Sequence, residues 1–429
     1  MSDSSSGDVL GVLRARGFLQ DVTDEDELRE RFAAGPVTFY VGFDPTAPSL
    51  HAGNLVGMMA MSWMQRMGHR VIAIAGGATG RIGDPSGRDA ERQLLDEPTI
   101  ERHLDAIRVQ LSHVLDLEDD GLLLDNHDWL GGIGYLEFLR DVGKHFSVNT
   151  MVARESVKRR LEHREQGISY TEFSYQLLQA YDFLHLHRTH GCVLQCGGSD
   201  QWGNIVAGID LIHRVEGAQT YGLTWPLLTT ADGAKFGKSA GNAIWLDATM
   251  TSAYAYYQYW INTADADVPR FLRLFTHLDL DEIDRLEAVL TEDPAARVAH
   301  RELAREATRI IHGDDGVRTA EQATEALFGE GSFEGLDDAT LDEILAEAPS
   351  VDVPRTRLDE GLGLLELLTA VGASRSNSEA RRLVDQGAVR LDNVVEPDAG
   401  RTLTDEDLAG RRTLVLRVGR RRHFLARFR

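Results

Sequence analysis

Lys235 and Lys238 stand three residues apart in the segment KFGKS, in a chain that has four lysines against 41 arginines. A chain that writes arginine almost everywhere keeps lysine where a compact, mobile ammonium does what a planar guanidinium cannot. Two such groups on a glycine-flanked loop, with Ser239 beside them, can follow negative charge as it moves from an α-phosphate to a departing pyrophosphate. A second segment, HAGN, puts His51 and Asn54 at the start of a helix. There a neutral imidazole and a small amide add donors to the backbone N–H groups, a combination that suits a triphosphate. A third, GGATGRIGDPSGR, has five glycines between Gly76 and Gly87. It lacks the closing GK[ST] of a P-loop and the spacing of a dinucleotide fingerprint. Its glycines permit close backbone approach, and Asp84 among them can take a ligand ammonium.

The elements that must carry these groups follow from the apolar pattern. Val37 to Phe43 reads as a buried strand, ended by the turn-rich DPTAPS before an apolar helix from about Ala52 to Met67. A second strand, Val71 to Ala75, runs into the glycine-rich loop. Pro98 opens a helix to about Leu115, and Leu122 to Leu124 reads as a third strand. This alternation predicts a parallel α/β sheet. After mainly helical residues the sheet resumes with Cys192 to Cys196, the GGSDQWGN loop, a helix to about His213 and a last strand, Leu223 to Leu228.

The expected organisation is an α/β chain: a Rossmann-like catalytic domain over 1–248 with a helical insertion at about 130–190, then an all-α domain over 249–347. A linker over 348–357 leads to a small α+β domain over 358–429. In that last domain two short helices, Leu362 to Val371 and Ser376 to Gln386, precede strands around Val389 to Val395, Thr413 to Val418 and His423 to Phe428.

The net charge of −23 taken alone speaks against a nucleic-acid partner, but it is unevenly spread. Residues 355–429 hold 15 arginines and 11 acidic residues, net +4, which leaves −27 for the first 354 residues. A basic tail on an acidic body points to a polyanion at the tail. No stretch approaches the roughly 18 to 20 apolar residues of a membrane helix, and Met1 to Asp8 is polar, so a cytoplasmic protein without membrane contact is expected. Two cysteines, Cys192 and Cys196, are too few for a secreted disulfide framework.

Taken together the motifs resemble those of class I aminoacyl-tRNA synthetases, HAGN matching the HIGH signature and KFGKS the KMSKS signature. The surrounding segments are similar to the tyrosyl-tRNA synthetase family in the same order: YVGFDPTAPSLHAGN, GGATGRIGDPSGR, DNHDW, FLRDVGKHFSVN, EFSYQLLQAYDFL, GGSDQWGNI and DGAKFGKS. The likeness spans about residues 36–262 and resumes over about 359–428. It implies activation of L-tyrosine by ATP, taken as its Mg²⁺ complex, to tyrosyl-adenylate and pyrophosphate. Transfer to the 3′-terminal adenosine of tRNA(Tyr) would follow, in a homodimer formed through the inserted helices.

The resemblance also implies roles. Tyr40 and Asp182 would hold the substrate phenol, and Asp84, Tyr175 and Gln179 its ammonium group. Thr46 and His51 would meet the γ-phosphate, with Gly53 and Asn54 beside them. Asp44, Gly198, Asp200 and Gln201 would lie around the aminoacyl and ribose groups. Lys235, Phe236, Gly237, Lys238 and Ser239 would form the ATP-side loop, and Arg88 and Arg92 would lie near pyrophosphate. Independently of the family, Tyr175, Gln179 and Asp182 are spaced i, i+4, i+7, so a helix puts all three on one face. Three polar groups there would be costly to bury without a ligand or partner. Three positions depart from the common pattern: Asn54 replaces a second histidine, Val41 a frequent cysteine and Arg88 a frequent lysine.

The C-terminal SRSNSEARRLVDQGAVRLDNVVEP and RVGRRRHFLARF resemble an RNA-binding fold first seen in a ribosomal small-subunit protein, with Arg375, Arg381, Arg382 and Arg420, Arg421, Arg422 toward phosphates. His185, His187, His190, Cys192 and Cys196 crowd together, but their spacing fits neither a zinc ribbon nor a finger, and no bound zinc is expected. Two rivals remain. A tryptophanyl-tRNA synthetase is disfavoured by the Tyr40 and Asp182 pair and by the RNA module. A non-catalytic RNA-binding protein on a synthetase fold is disfavoured by the intact His51, KFGKS and GSDQ.

Overall fold

The computed structural model describes residues 8–86, 95–119, 121–154, 157, 158, 161, 167–231, 233, 236–239, 242–419 and 422–429. They fall into two compact units, one running through Thr251 and including Tyr259–Ile311, the other made of Ser252–Gln258 and His312–Arg429. The helical stretch expected over 249–347 is therefore shared between them. Its longest helix, Val298–Phe328, breaks at Gly313, whose φ of 68° and ψ of −176° favour glycine.

The first unit is built on six strands: β1 (Asp21–Val22), β2 (Thr38–Phe43), β3 (Arg70–Ala75), β4 (Gly121–Asp125), β5 (Leu194–Gly198) and β6 (Tyr221–Trp225). Their order is β1-β6-β5-β2-β3-β4, parallel throughout except for β1, which pairs antiparallel with β6. The near-continuous apolar run of β3 is that of a strand covered on both faces, and all five residues of β6 are buried as well. From β2 the chain winds outward through β3 and β4. The inserted helices then return it to β5 on the other side of β2, and it winds outward again to β6. The reversal between β2 and β5 is the switch point at which open parallel sheets bind ligands beyond their carboxyl ends. Residues Phe39 and Tyr40 lie opposite Leu194 and Gln195 there.

β5 and β6 sit about two residues away from the expected Cys192–Cys196 and Leu223–Leu228, and β1 has no counterpart among the expected strands. Two residues on an edge give no periodic signal. The short hairpin of β7 (Lys238–Ser239) and β8 (Asn242–Ala243) follows β6.

The second unit carries a five-stranded sheet in the order β11-β10-β12-β13-β9, from β9 (Ser350–Val353), β10 (Val389–Leu391), β11 (Val394–Val395), β12 (Thr413–Val418) and β13 (Arg422–Phe428). Strand alternation splits its core. Leu414, Leu416 and Phe424 pack with the helices Leu364–Ala370 and Asn377–Asp385, while Val415 and Leu425 join Ala323, Ala326, Phe333, Leu336, Leu341 and Leu345. The segment 348–357, expected as a linker, instead contains β9, parallel to β13 from Ser350 opposite Leu425 to Val353 opposite Phe428. An edge strand needs little burial, and only Val353 of the four residues is buried, so the sequence there looks like a solvated connection.

Candidate active site

The helix Tyr170–His190 starts at Ser169, whose hydroxyl accepts the Glu172 N–H, and stops at Gly191 in the left-handed region (φ 61°). It brings Tyr175, Gln179 and Asp182 over the switch point, as their spacing predicts. Asp182 is buried, and both its oxygens are used. Asn126 Nδ2 donates to Oδ2 at 3.0 Å and Trp129 Nε1 to Oδ1 at 2.7 Å. Burial pushes its carboxyl up to about 8, against the pull of those two donors. Tyr40 rises from β2 into the same place and packs against Phe183 at 5.4 Å. Its hydroxyl donates to the Gln179 carbonyl at 3.4 Å. Burial first, and then the Asp182 charge, hold that hydroxyl protonated well above the usual range.

The remaining polar groups form a chain from the same floor toward β5. Tyr175 donates its hydroxyl to Asp44 Oδ2 at 2.9 Å, and Thr79 donates to Asp44 Oδ1 at 2.7 Å. Asn126 Nδ2 also donates to Thr79 Oγ1 at 2.9 Å, so the Asp44 and Asp182 carboxylates share one network. On the other side Gln201 Nε2 donates to Asp84 Oδ2 at 2.6 Å and Gln179 Nε2 donates to Gln201 Oε1 at 3.2 Å. Asn204 Nδ2 meets Gln179 Oε1 at 3.0 Å. Such a close fit needs glycine at 76, because a Cβ there would lie 2.2 Å from Asp44 Oδ1. Gly42 leaves a gap in the sheet's covering: it is exposed in central strand β2, with no atom within 4 Å of where its Cβ would stand.

The second signature adjoins this floor. His51 caps the helix Ala52–Arg66: its Nδ1 accepts the Gly53 N–H at 3.0 Å, and Asn54 Oδ1 accepts the His51 N–H at 3.1 Å. Accepting at Nδ1 puts the neutral imidazole's proton on Nε2, a donor suited to a phosphate oxygen. Asn54 therefore serves as the partner in a capping box. The KFGKS segment lies against this helix start. Gly237 (φ 80°) comes so close that a Cβ would stand 2.8 Å from the Gly53 nitrogen. Its carbonyl accepts the Ile244 N–H at 2.9 Å, and the Ile244 carbonyl accepts the Ala52 N–H at 2.8 Å.

Phe236, expected on the ATP-side loop, turns its side chain into the core. Its ring is buried among Phe271, Phe275 and Trp260, stacked on Phe275 at 5.0 Å. An aromatic between two lysines looks like part of a polar loop, yet its area is better buried. Thr46 and Asp200 are exposed, after β2 and β5 respectively, and Gly198 ends β5. Arg88, Arg92 and Lys235 lie outside the described residues, as do Arg420 and Arg421; of Lys238 and Ser239 only the strand is described.

Sequence reasoning misses Trp129, Thr79 and Asn204 as members of the network. Trp129 stands in the DNHDW segment directly beyond β4, and Asn204 three residues after Gln201 on the first turn of the next helix. Position at a strand's carboxyl end is the signal available for both. Of the crowded histidines, His185 stacks on Trp129 at 4.5 Å and His187 Nδ1 pairs with the Cys192 carbonyl at 2.9 Å.

In the second unit most described arginines after residue 354 face carboxylates: Arg355 with Asp405, Arg357 with Glu366, Arg401 with Asp407, Arg411 with Asp392, Arg427 with Asp342 and Arg429 with Asp352. The side chains of Arg375, Arg381, Arg382 and Arg422 are exposed and pair with no carboxylate among the described residues, although the Arg375 backbone N–H donates to Glu379 at 2.8 Å. These four are among the six arginines the RNA-module resemblance points to, the other two, Arg420 and Arg421, being outside the described residues.

Known proteins match this arrangement over the whole chain. The family of class I tRNA synthetases (W and Y) matches residues 33–329, and the tyrosine–tRNA ligase SYY-like C-terminal domain matches residues 343–426. The tyrosine–tRNA ligase of Rhodopirellula baltica is 48% identical over 427 residues, covering 99% of this chain and 97% of its own length. That of Nocardia farcinica is 50% identical over 422 residues, covering 97% of each. The crystal structure of a C-terminally truncated mitochondrial tyrosyl-tRNA synthetase from Aspergillus nidulans superposes with a TM-score of 0.69 at 33% identity, covering 75% of this chain and 94% of that one. By sequence over its full length and by fold over its larger part, the chain belongs to the tyrosine–tRNA ligases of the class I tRNA synthetases.

Proposed function

We infer that the chain activates L-tyrosine with ATP and then esterifies it to the 3′-terminal adenosine of tRNA(Tyr). The observation that carries this reading is the buried Asp182 carboxylate, fixed by Asn126 and Trp129 beside the Tyr40 hydroxyl. An ionisable acid held in a fixed orientation beside a phenol on a buried pocket floor suits recognition of a ligand hydroxyl. Asp84, Gln179 and Tyr175 then suit the ammonium of the same ligand, and His51 with the start of its helix suits the triphosphate of ATP, which arrives as its Mg²⁺ complex. The tyrosine carboxylate attacks the α-phosphate, pyrophosphate leaves, and the tRNA hydroxyl later takes the aminoacyl group from the adenylate. No protein nucleophile enters; alignment of the two substrates and stabilisation of charge by Lys235 and Lys238 supply the rate.

The tRNA would be held in part by Arg375, Arg381, Arg382 and Arg422, as cations without a carboxylate partner are the ones a phosphate can engage without breaking an ion pair. A homodimer through the inserted helices is supported by Tyr135, Leu136, Val148 and Tyr170, all at least 61% exposed there. Amino-acid-dependent pyrophosphate exchange across the amino acids, followed by charging of tRNA, tests the reading. Exchange with tyrosine is expected; exchange with tryptophan, or none, would overturn it.

A further inference from the structure

Asp267 stands at the N-cap of the eight-residue helix Val268–Phe275, yet its side chain caps nothing there. A carboxylate at that position ordinarily accepts an N–H from the first turn of its own helix. Pro269, the second residue of this helix, has none to give. The carboxylate, on a residue 4% exposed, turns outward instead: Oδ2 accepts the Ala231 N–H at 2.8 Å and Oδ1 accepts from Arg270 at 2.8 Å. Arg270 also donates to the Thr229 carbonyl at 2.5 Å. One helical turn thus presents both an acceptor and a donor to the backbone that leaves β6. Further along the same helix, Phe271 and Phe275 receive the ring of Phe236. A single helix grips the chain on both sides of Gly233, which takes a φ of 82°.

We propose that Asp267 and Arg270 are positioning residues for adenylate formation, fixing where the stretch that carries Lys235 and Lys238 departs from the sheet. This rests on reading KFGKS as the ATP-side loop. Stability alone is a poor explanation for the pair, because the Arg270 side chain is 42% exposed, and Asp267, whose side chain is 5% exposed, still accepts the Ala231 N–H when Arg270 is removed. What the pair does is hold two specific backbone groups of a segment whose placement decides how well a charge meets the leaving pyrophosphate. Misplacement of a catalytic group by an ångström can lower a rate by about two orders of magnitude, so loosening one of two anchors should be visible in kcat.

The test uses the full chain as wild type, Arg270→Ala, Arg270→Lys and Asp267→Asn in tyrosine-dependent pyrophosphate exchange, with thermal melting alongside. Arg270→Ala should lower kcat roughly tenfold, with KM for tyrosine changed by less than about twofold and melting nearly unmoved. Arg270→Lys, which keeps a donor within reach of both partners, should recover part of the loss. An unchanged kcat in Arg270→Ala, or a loss shared equally with tyrosine affinity, overturns the proposal. Should Asp267→Asn fail to fold, the two Arg270 variants decide. Wild type without tyrosine-dependent exchange would overturn the underlying reading instead, before any variant is compared.

Discussion

Above about pH 8, where its carboxyl is ionised, Asp182 only accepts, and replacing it with asparagine puts in a group that must donate from one side. In the native site Asn126 Nδ2 approaches one oxygen at 3.0 Å and Trp129 Nε1 the other at 2.7 Å. An amide has a single oxygen, so its NH₂ must face one of these N–H groups, and that hydrogen bond is lost. The substrate phenol loses an ionisable acceptor as well. A hydrogen bond to a charged group contributes about 1.5 to 3 kcal/mol, which at about 1.4 kcal/mol per decade is roughly a 10- to 150-fold drop in kcat/KM for tyrosine. Phenylalanine has no hydroxyl to lose a partner, so its kcat/KM should fall far less and the preference for tyrosine should shrink by nearly the same factor. Pyrophosphate exchange with both amino acids, on wild type and Asp182→Asn, gives the ratio. An unchanged ratio, or an equal fall for both, would show that Asp182 shapes the pocket without reading the hydroxyl.

Asp182 also predicts a pH dependence of stability in the ligand-free protein. Its folded pKa of about 8 lies above the ordinary 3.8, so between those values the folded state holds a proton that the unfolded chain has lost. The stability this contributes is complete below the ordinary value and is lost as pH rises to about 8; denaturant titrations of wild type should fall across that window relative to Asp182→Asn, and parallel curves would refute it. Lys238→Ala should slow adenylate formation far more than it weakens tyrosine binding, since its charge is used when pyrophosphate departs; equal losses in pre-steady-state rate and tyrosine affinity would contradict that role. Arg381→Ala with Arg382→Ala should leave exchange intact, weaken tRNA binding, and lower the slope of log affinity against log salt by about 0.7 to 0.9 for each phosphate that is no longer neutralised; an unchanged slope would exclude them from the interface.

Much of the site is legible in the sequence, because its groups sit where the chain's local pattern places them. A helix through Tyr175, Gln179 and Asp182 needs only a period of 3.6, and a strand followed by glycines or HAGN needs only a run of apolar residues and its end. What the sequence hides depends on partners distant in the chain. The pairing of Trp129 with Asp182 joins residues 53 apart, and nothing in the local sequence around either predicts it. β9 reads as a linker because its hydrogen-bond partner lies some 75 residues downstream, and a mostly exposed edge strand carries no periodic mark. The core packing of the Phe236 ring is hidden for the opposite reason: its partners Phe271 and Phe275 lie far along the chain, while the motif around it is polar.

The shared packing of Val415 and Leu425 with Ala323, Phe333 and Leu341 bears on how the chain is made. A polypeptide emerges from its N-terminus, and domains generally fold as they are completed. Residues 312–345 are synthesised well before β12 and β13, yet those two late strands supply the side chains that close their core. The helices must therefore wait, with apolar surface open to water, until residues 413–428 have been made, and β9 must wait for its partner strand until then. A stop before residue 413 would thus remove more than a handful of arginines: it would leave a long, already translated stretch without the means to finish folding, and open to proteolysis and aggregation.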